Sequence, residues 1–239
     1  MLVNPAQPIQ LAATGGISAS VFTCGARLGA LWVPTRGGPL NVVLGYPSAA
    51  DYRDDPGYLG AAIGRLGGRV AGARFEHAGS PYVLDANEGR NQLHGGVHGL
   101  HAKTWRILDR RDGPEPVLVL GTESAAGEGG YPGTLRVEAH FIVQGMALIL
   151  ELRATVDRPC PVALTYHPYF NLGGVSSGTV DDHELQVEAD AVLALDRECI
   201  PTGERLAVAG TPFDFRQMAS IRPRLAAEHP QLRIAGGLD

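Results

Sequence analysis

The strongest constraint on the fold is a pair of neighbouring segments, residues 135–143 (LRVEAHFIV) and 147–156 (ALILELRATV), in which apolar and polar side chains alternate. A period of two places alternate side chains on opposite faces of an extended chain, as a half-buried β-strand requires. The intervening Gln144, Gly145 and Met146 have hairpin length, so the two segments are expected to pair antiparallel. Shorter runs of the same kind at residues 20–23, 28–33, 117–122, 184–188 and 192–195 are each bounded by Gly, Pro, Asn or Asp. The 32 Gly and 17 Pro are spread throughout the 239 residues, and they cost about 1 and 3 kcal/mol respectively in a helix interior. Long helices therefore have few places to form, and short helical turns are expected only near residues 49–52 and 223–228. The fold class is all-β: a large antiparallel β-sandwich with long loops and a concave face that could carry a site.

A chain that is 44% hydrophobic and 19% charged has enough apolar material for one substantial core. No repeat, low-complexity tract or linker divides it, so a single domain over residues 1–239 is the expectation. A net charge of -5 leaves no basic footprint for nucleic acid, and no apolar stretch approaches membrane-spanning length. Cys24, Cys160 and Cys199 are odd in number and widely spaced, which suits free thiols in a reducing compartment. With no signal-peptide pattern at the N-terminus, the expected address is the cytoplasm.

Three constellations could carry chemistry. The segment NQLHGGVHGLH brings His94, His98 and His101 into a glycine-rich loop. Their spacing resembles a metal-ligand set, but such sites on β folds usually add a carboxylate, and none lies between Glu88 and Asp109. The reading is a metal-free loop in which the glycines let the backbone approach a ligand while His94 faces a cleft. In LTYHPYFNLGG, His167 precedes Pro168 and is pushed toward extended geometry at a strand end, beside the flat rings of Tyr169 and Phe170. An imidazole there can act as a general acid near neutral pH, or it can be a hydrogen-bonded core residue. The third, GRLGGR, carries Arg65 and Arg69, whose fixed donors read as a phosphate or carboxylate clamp in many folds; it does not match a nucleotide-binding P-loop, and neutral sugars also suit it.

In order along the chain, GARLGALWVPTRGG, NVVLGYPSAADY, GRLGGRV, NQLHGG, GGYPGTLRV, LTYHPYFNL, IPTGE and GTPFDFR resemble the aldose 1-epimerase (galactose mutarotase) family over nearly the whole length. The resemblance implies a supersandwich of antiparallel strands that interconverts the α- and β-anomers of aldoses such as glucose or galactose without a cofactor. It implies that Arg69 binds substrate, that His94 hydrogen-bonds the sugar near its ring, and that His167 protonates the ring oxygen. Gly68 stands where many members have Asn, and Tyr166 likewise replaces an Asn beside the acid, a change expected to alter substrate preference. The terminal GGLD matches the family's sugar-binding aspartate segment and makes Asp239 a ligand residue. The family's catalytic glutamate follows well downstream of that segment and has no counterpart in these 239 residues, so the sandwich is expected to be incomplete at its C-terminal end. Glu128, Asp182 and Glu184 are carboxylates that could substitute, but each reads more simply as a solvated loop residue.

The expected partner is a small aldose, with no nucleic acid or membrane. Beside the isomerase reading stands a non-catalytic sugar-binding or regulatory module on the same fold. A glycoside hydrolase needs paired carboxylates flanking the scissile bond, and the best sites here offer histidines.

Overall fold

The computed structural model describes residues 7–238, in two compact units, Met1–Ser176 and Ser177–Asp239. Asp239 lies outside the described residues.

The first unit opens with a four-stranded antiparallel sheet of β1 (Ile9–Ala12), β2 (Ser18–Phe22), β3 (Arg27–Thr35) and β4 (Gly38–Asn41), in that spatial order. Residues 49–52 then form one turn of 3-10 helix, as anticipated. Five short strands follow: β5 (Ala62–Ile63), β6 (Arg69–Val70), β7 (Arg74–His77), β8 (Ser80–Val83) and β9 (Gln92–Leu93), with β6 paired to β9 and β7 to β8. A second four-stranded sheet consists of β10 (Arg106–Arg111), β11 (Val117–Ser124), β12 (Leu135–Gln144) and β13 (Ala147–Val156). Finally β14 (Thr165–Tyr166) pairs antiparallel with β5.

Why the two large sheets form is visible in their burial. Along β12 the odd-numbered residues Leu135, Val137, Ala139, Phe141 and Val143 are buried, and the even-numbered ones are exposed or half-buried. These five join Leu118 and Leu120 of β11 and Ile9, Leu11, Ala19, Val21 and Leu28 of the first sheet in a single apolar cluster, with Trp105 beneath. The sheets therefore face one another across a shared core, where each fully buried large side chain contributes about 1.5–3 kcal/mol. The predicted hairpin is present but tighter than expected: Gln144 pairs with Ala147, leaving a two-residue turn with Gly145 at φ 56°. The Gly145 carbonyl accepts a hydrogen bond from Ile17 N–H at 2.9 Å, so the hairpin tip docks on the β1–β2 turn. Among the described residues β13 is an edge of its sheet, and its residues are half-buried or exposed rather than cleanly alternating.

The second unit holds β15 (Glu184–Leu185), β16 (Ala191–Leu195), β17 (Pro201–Ala207) and β18 (Ala219–Ser220), paired as β15 with β18 and β16 with β17. Two short helices close it, α1 (Ile221–Leu225), near the expected turn, and α2 (Pro230–Ala235), which was not anticipated.

Candidate active site

His94 and His167, far apart in the chain, have their rings 5.2 Å apart and edge to face at 80°. Each is fixed by its backbone. The β6–β9 pairing sets Arg69 opposite Leu93, and His94 follows at φ 55°. At the end of that ladder Gly68 and His94 hold each other twice: His94 N–H donates to the Gly68 carbonyl at 3.0 Å, and Gly68 N–H donates to His94 Nδ1 at 3.1 Å. Because Nδ1 is an acceptor, the ring proton of neutral His94 belongs on Nε2. The glycines after His94 allow a close backbone approach that no other residue could: a Cβ on Gly95 would lie 2.0 Å from the Gly64 carbonyl oxygen.

His167 follows β14, and its backbone exchanges hydrogen bonds with the turn before β5. Gly60 N–H donates to the His167 carbonyl at 2.9 Å, and His167 N–H donates to that of Ala61 at 3.0 Å. The Tyr169 ring lies 5.1 Å from the imidazole, the flat neighbour that the sequence suggested. Tyr166 points elsewhere. Its ring packs against Phe141 and the core, its hydroxyl donates to the Ala26 carbonyl at 3.0 Å, and burial pushes the phenol well above its usual pKa. The Tyr166 side chain thus takes part in packing between strands.

Arg69 reaches the same loop but is engaged by a residue the sequence reading passed over. Its Nε and Nη2 bind the two Glu88 carboxylate oxygens at 2.6 and 2.8 Å, a bidentate pair that fixes the plane of the guanidinium. Arg65 is not part of this site. It is 2% exposed, and its guanidinium donates to the Ser124, Ala125 and Pro132 carbonyls and to Ser124 Oγ, so it is a structural post under the loops.

The three histidines of the glycine-rich loop separate. His98 is exposed, while His101 packs against Tyr58, as His94 does, with ring centroids 4.8 Å apart in both cases. Among the described residues no group of three or more His, Cys, Asp or Glu side chains is placed to hold a metal ion. Next to this cluster lies a cavity of about 490 Å³ lined by Tyr52, Tyr58, Asn87, His101 and the Arg27–Asp55 pair. Of the other carboxylates, Glu128 is bound to Lys103 at 2.6 Å. Burial works to raise its pKa, but hydrogen bonds from Lys103 and Ser124 and the lysine charge hold it below the usual range. Asp182 pairs with Arg222 at 3.0 Å, and Glu184 lies exposed in β15, both within the second unit.

The sequence and the fold are similar to those of known proteins. A family model for aldose 1-epimerase matches residues 7–234. The chain is 34% identical over 235 residues to the aldose 1-epimerase of Escherichia coli, covering 98% of this chain and 67% of that protein. It is 38% identical over 210 residues to the galactose mutarotase of Sus scrofa, covering 87% of this chain and 60% of the relative. The crystal structure of galactose 1-epimerase from Lactobacillus acidophilus superposes with a TM-score of 0.88 at 29% identity, over 98% of this chain and 68% of the other. A GalM/aldose epimerase homologue from C. elegans gives 0.85 at 30% identity, over 95% and 69%. The chain thus spans about 60–67% of the length of these curated relatives, and the galactose mutarotase-like fold that the family resemblance implied is the fold observed. Over that span, the chain belongs to the aldose 1-epimerase family.

Proposed function

We propose that this chain provides the sugar-binding and ring-protonating part of an aldose 1-epimerase acting on aldohexoses such as galactose or glucose. The observation that carries the reading is the contact of His94 and His167, with Arg69 held on the strand opposite Leu93 and Tyr169 as a flat wall. Opening a pyranose requires a proton for the ring oxygen and a base for the anomeric hydroxyl; rotation about the first carbon–carbon bond and reclosure give the other anomer. His167 is assigned the proton on the ring oxygen. His94, whose Nδ1 is taken by Gly68, offers Nε2–H as a donor to an oxygen near the ring. Arg69 and Asp239 are assigned to sugar hydroxyls. The resemblance assigns the base to a glutamate. No cofactor is required by this chemistry. Free thiols at Cys24, Cys160 and Cys199 support a cytoplasmic setting, and the 1–239 span is read as one family domain.

A second reading is a sugar-binding or regulatory module without turnover on the same fold. One experiment separates the two: polarimetry of fresh α-D-galactose with this chain and with a His167→Ala variant, alongside galactose binding by NMR. Catalysis by the chain, reduced about 10²- to 10⁴-fold in the variant, is the expected signature of the isomerase. Binding without acceleration leaves the module, and absence of binding by folded protein overturns both.

A further inference from the structure

Tyr58 is the ring on which the histidines of the site meet. Its centroid is 4.8 Å from His94 at 76°, 4.8 Å from His101 at 86°, and 6.0 Å from His167. It is not a core-filling residue, since it is half-buried, lies outside both apolar clusters and lines the 490 Å³ cavity. Its backbone is costly: φ is 53°, a left-handed conformation that bulky residues rarely adopt. The turn holds it there. Ala61 N–H donates to the Tyr58 carbonyl at 3.0 Å, and the next residues bind the His167 backbone through Gly60 and Ala61. The phenol also meets the Asn87 side chain, whose Oδ1 and Nδ2 grip the backbone of Leu93, the residue before His94. Strain retained at a site and over-determined by its surroundings points to a role in that site.

We propose that Tyr58 is the positioning residue that sets the mutual orientation of His94 and His167 for the sugar ring. The assignment rests on the aldose reading given above. The edge-to-face contact with His94 limits rotation of that imidazole, the tilted ring 6.0 Å from His167 borders the other, and the 58–61 turn fixes the height of the His167 backbone. Tyr58 acts through the histidines and is not assigned a proton.

The test uses the 239-residue chain, with galactose as the probe. Tyr58→Asn removes the ring but keeps a residue that tolerates the left-handed backbone, and Tyr58→Phe keeps the ring. Imidazole signals of selectively labelled protein are compared with that of His140, which pairs with Glu138 and serves as reference. In the asparagine variant the His94, His101 and His167 signals are expected to move together, and galactose affinity to fall about tenfold or more. In the phenylalanine variant the signals stay near those of the parent and affinity changes less than about twofold. Tyr58→Leu gives the same comparison should the asparagine chain fail to fold. Unmoved imidazole signals and unchanged affinity in a folded ring-less variant would overturn the role of Tyr58, as would a phenylalanine variant that behaves like the asparagine one. A parent chain that leaves galactose unbound counts instead against the sugar reading, and this inference falls with it.

Discussion

At His101 the imidazole is kept neutral by its surroundings: burial first, then the charges of Arg27 and His94, lower its pKa from 6.5 to about 4. A folded-state pKa below the unfolded one means that protons bind the unfolded chain more readily in the intervening window. The stability that neutral His101 confers is therefore complete above pH 6.5 and is lost as the pH falls from 6.5 through 4. The slope is about 1.4 kcal/mol per pH unit, roughly 3 kcal/mol over the window. Urea unfolding at pH 7 and 4.5 is expected to show a smaller acid loss for His101→Gln than for the parent; equal losses would mean that His101 is solvated. The histidines show how far residues can be read in isolation. His94 and His167 could be singled out because local context acts on the backbone at each, glycines freeing it for close approach beside His94 and Pro168 restricting it at His167. Tyr58 and Glu88 could not, because their roles come from contacts between segments that only the folded chain brings together.

The loop that carries Tyr58 is anchored to the first sheet by a buried ion pair. Arg27 of β3 meets Asp55 at 2.7 Å, with side chains 3% and 1% exposed, and Asp55 also accepts from the Gly57 and Leu59 amides. Arg27 completes the clamp by donating to the Leu59 carbonyl and lying over the Tyr52 ring. Removing one member leaves the other charged and buried, so Asp55→Ala is expected to lower unfolding free energy by about 3–5 kcal/mol. Urea titration measures the loss, and galactose affinity should fall with it as the loop loosens. Elements were legible where one face is buried, as in β12 with its clean alternation. They were missed where polar residues dominate, as in β10 (RILDRR) and β17 (PTGERLA), since hydrogen-bonded ladders can form without an apolar stripe. Helix α2 did carry signals: Pro230 in its first turn, His229 capping the Gln231 amide and Gly236 at φ 74° just beyond its end.

For the molecule as a whole, the sandwich was legible because the hairpin of β12 and β13 fixes both a strand period and a pairing, whereas the sheet order and the docking of that hairpin on the β1–β2 turn depend on contacts between distant segments. The relatives extend beyond the span shared with this chain, which covers 67% of the E. coli protein. If the base is the glutamate that the family resemblance implies, joining the part of that protein outside the shared span to this chain is expected to raise the polarimetric rate with galactose about 10²- to 10⁴-fold, the contribution of one positioned acid or base. An unchanged rate from a folded chimera would place the base within these 239 residues. The Arg69–Glu88 pair has a consequence for how substrate arrives. With its guanidinium matched by a carboxylate, this corner of the cleft presents a compensated dipole rather than an unbalanced charge. On the proposed aldose reading, an uncharged sugar would reach the site by ordinary diffusion at any ionic strength, while a phosphorylated sugar would gain little electrostatic guidance from Arg69.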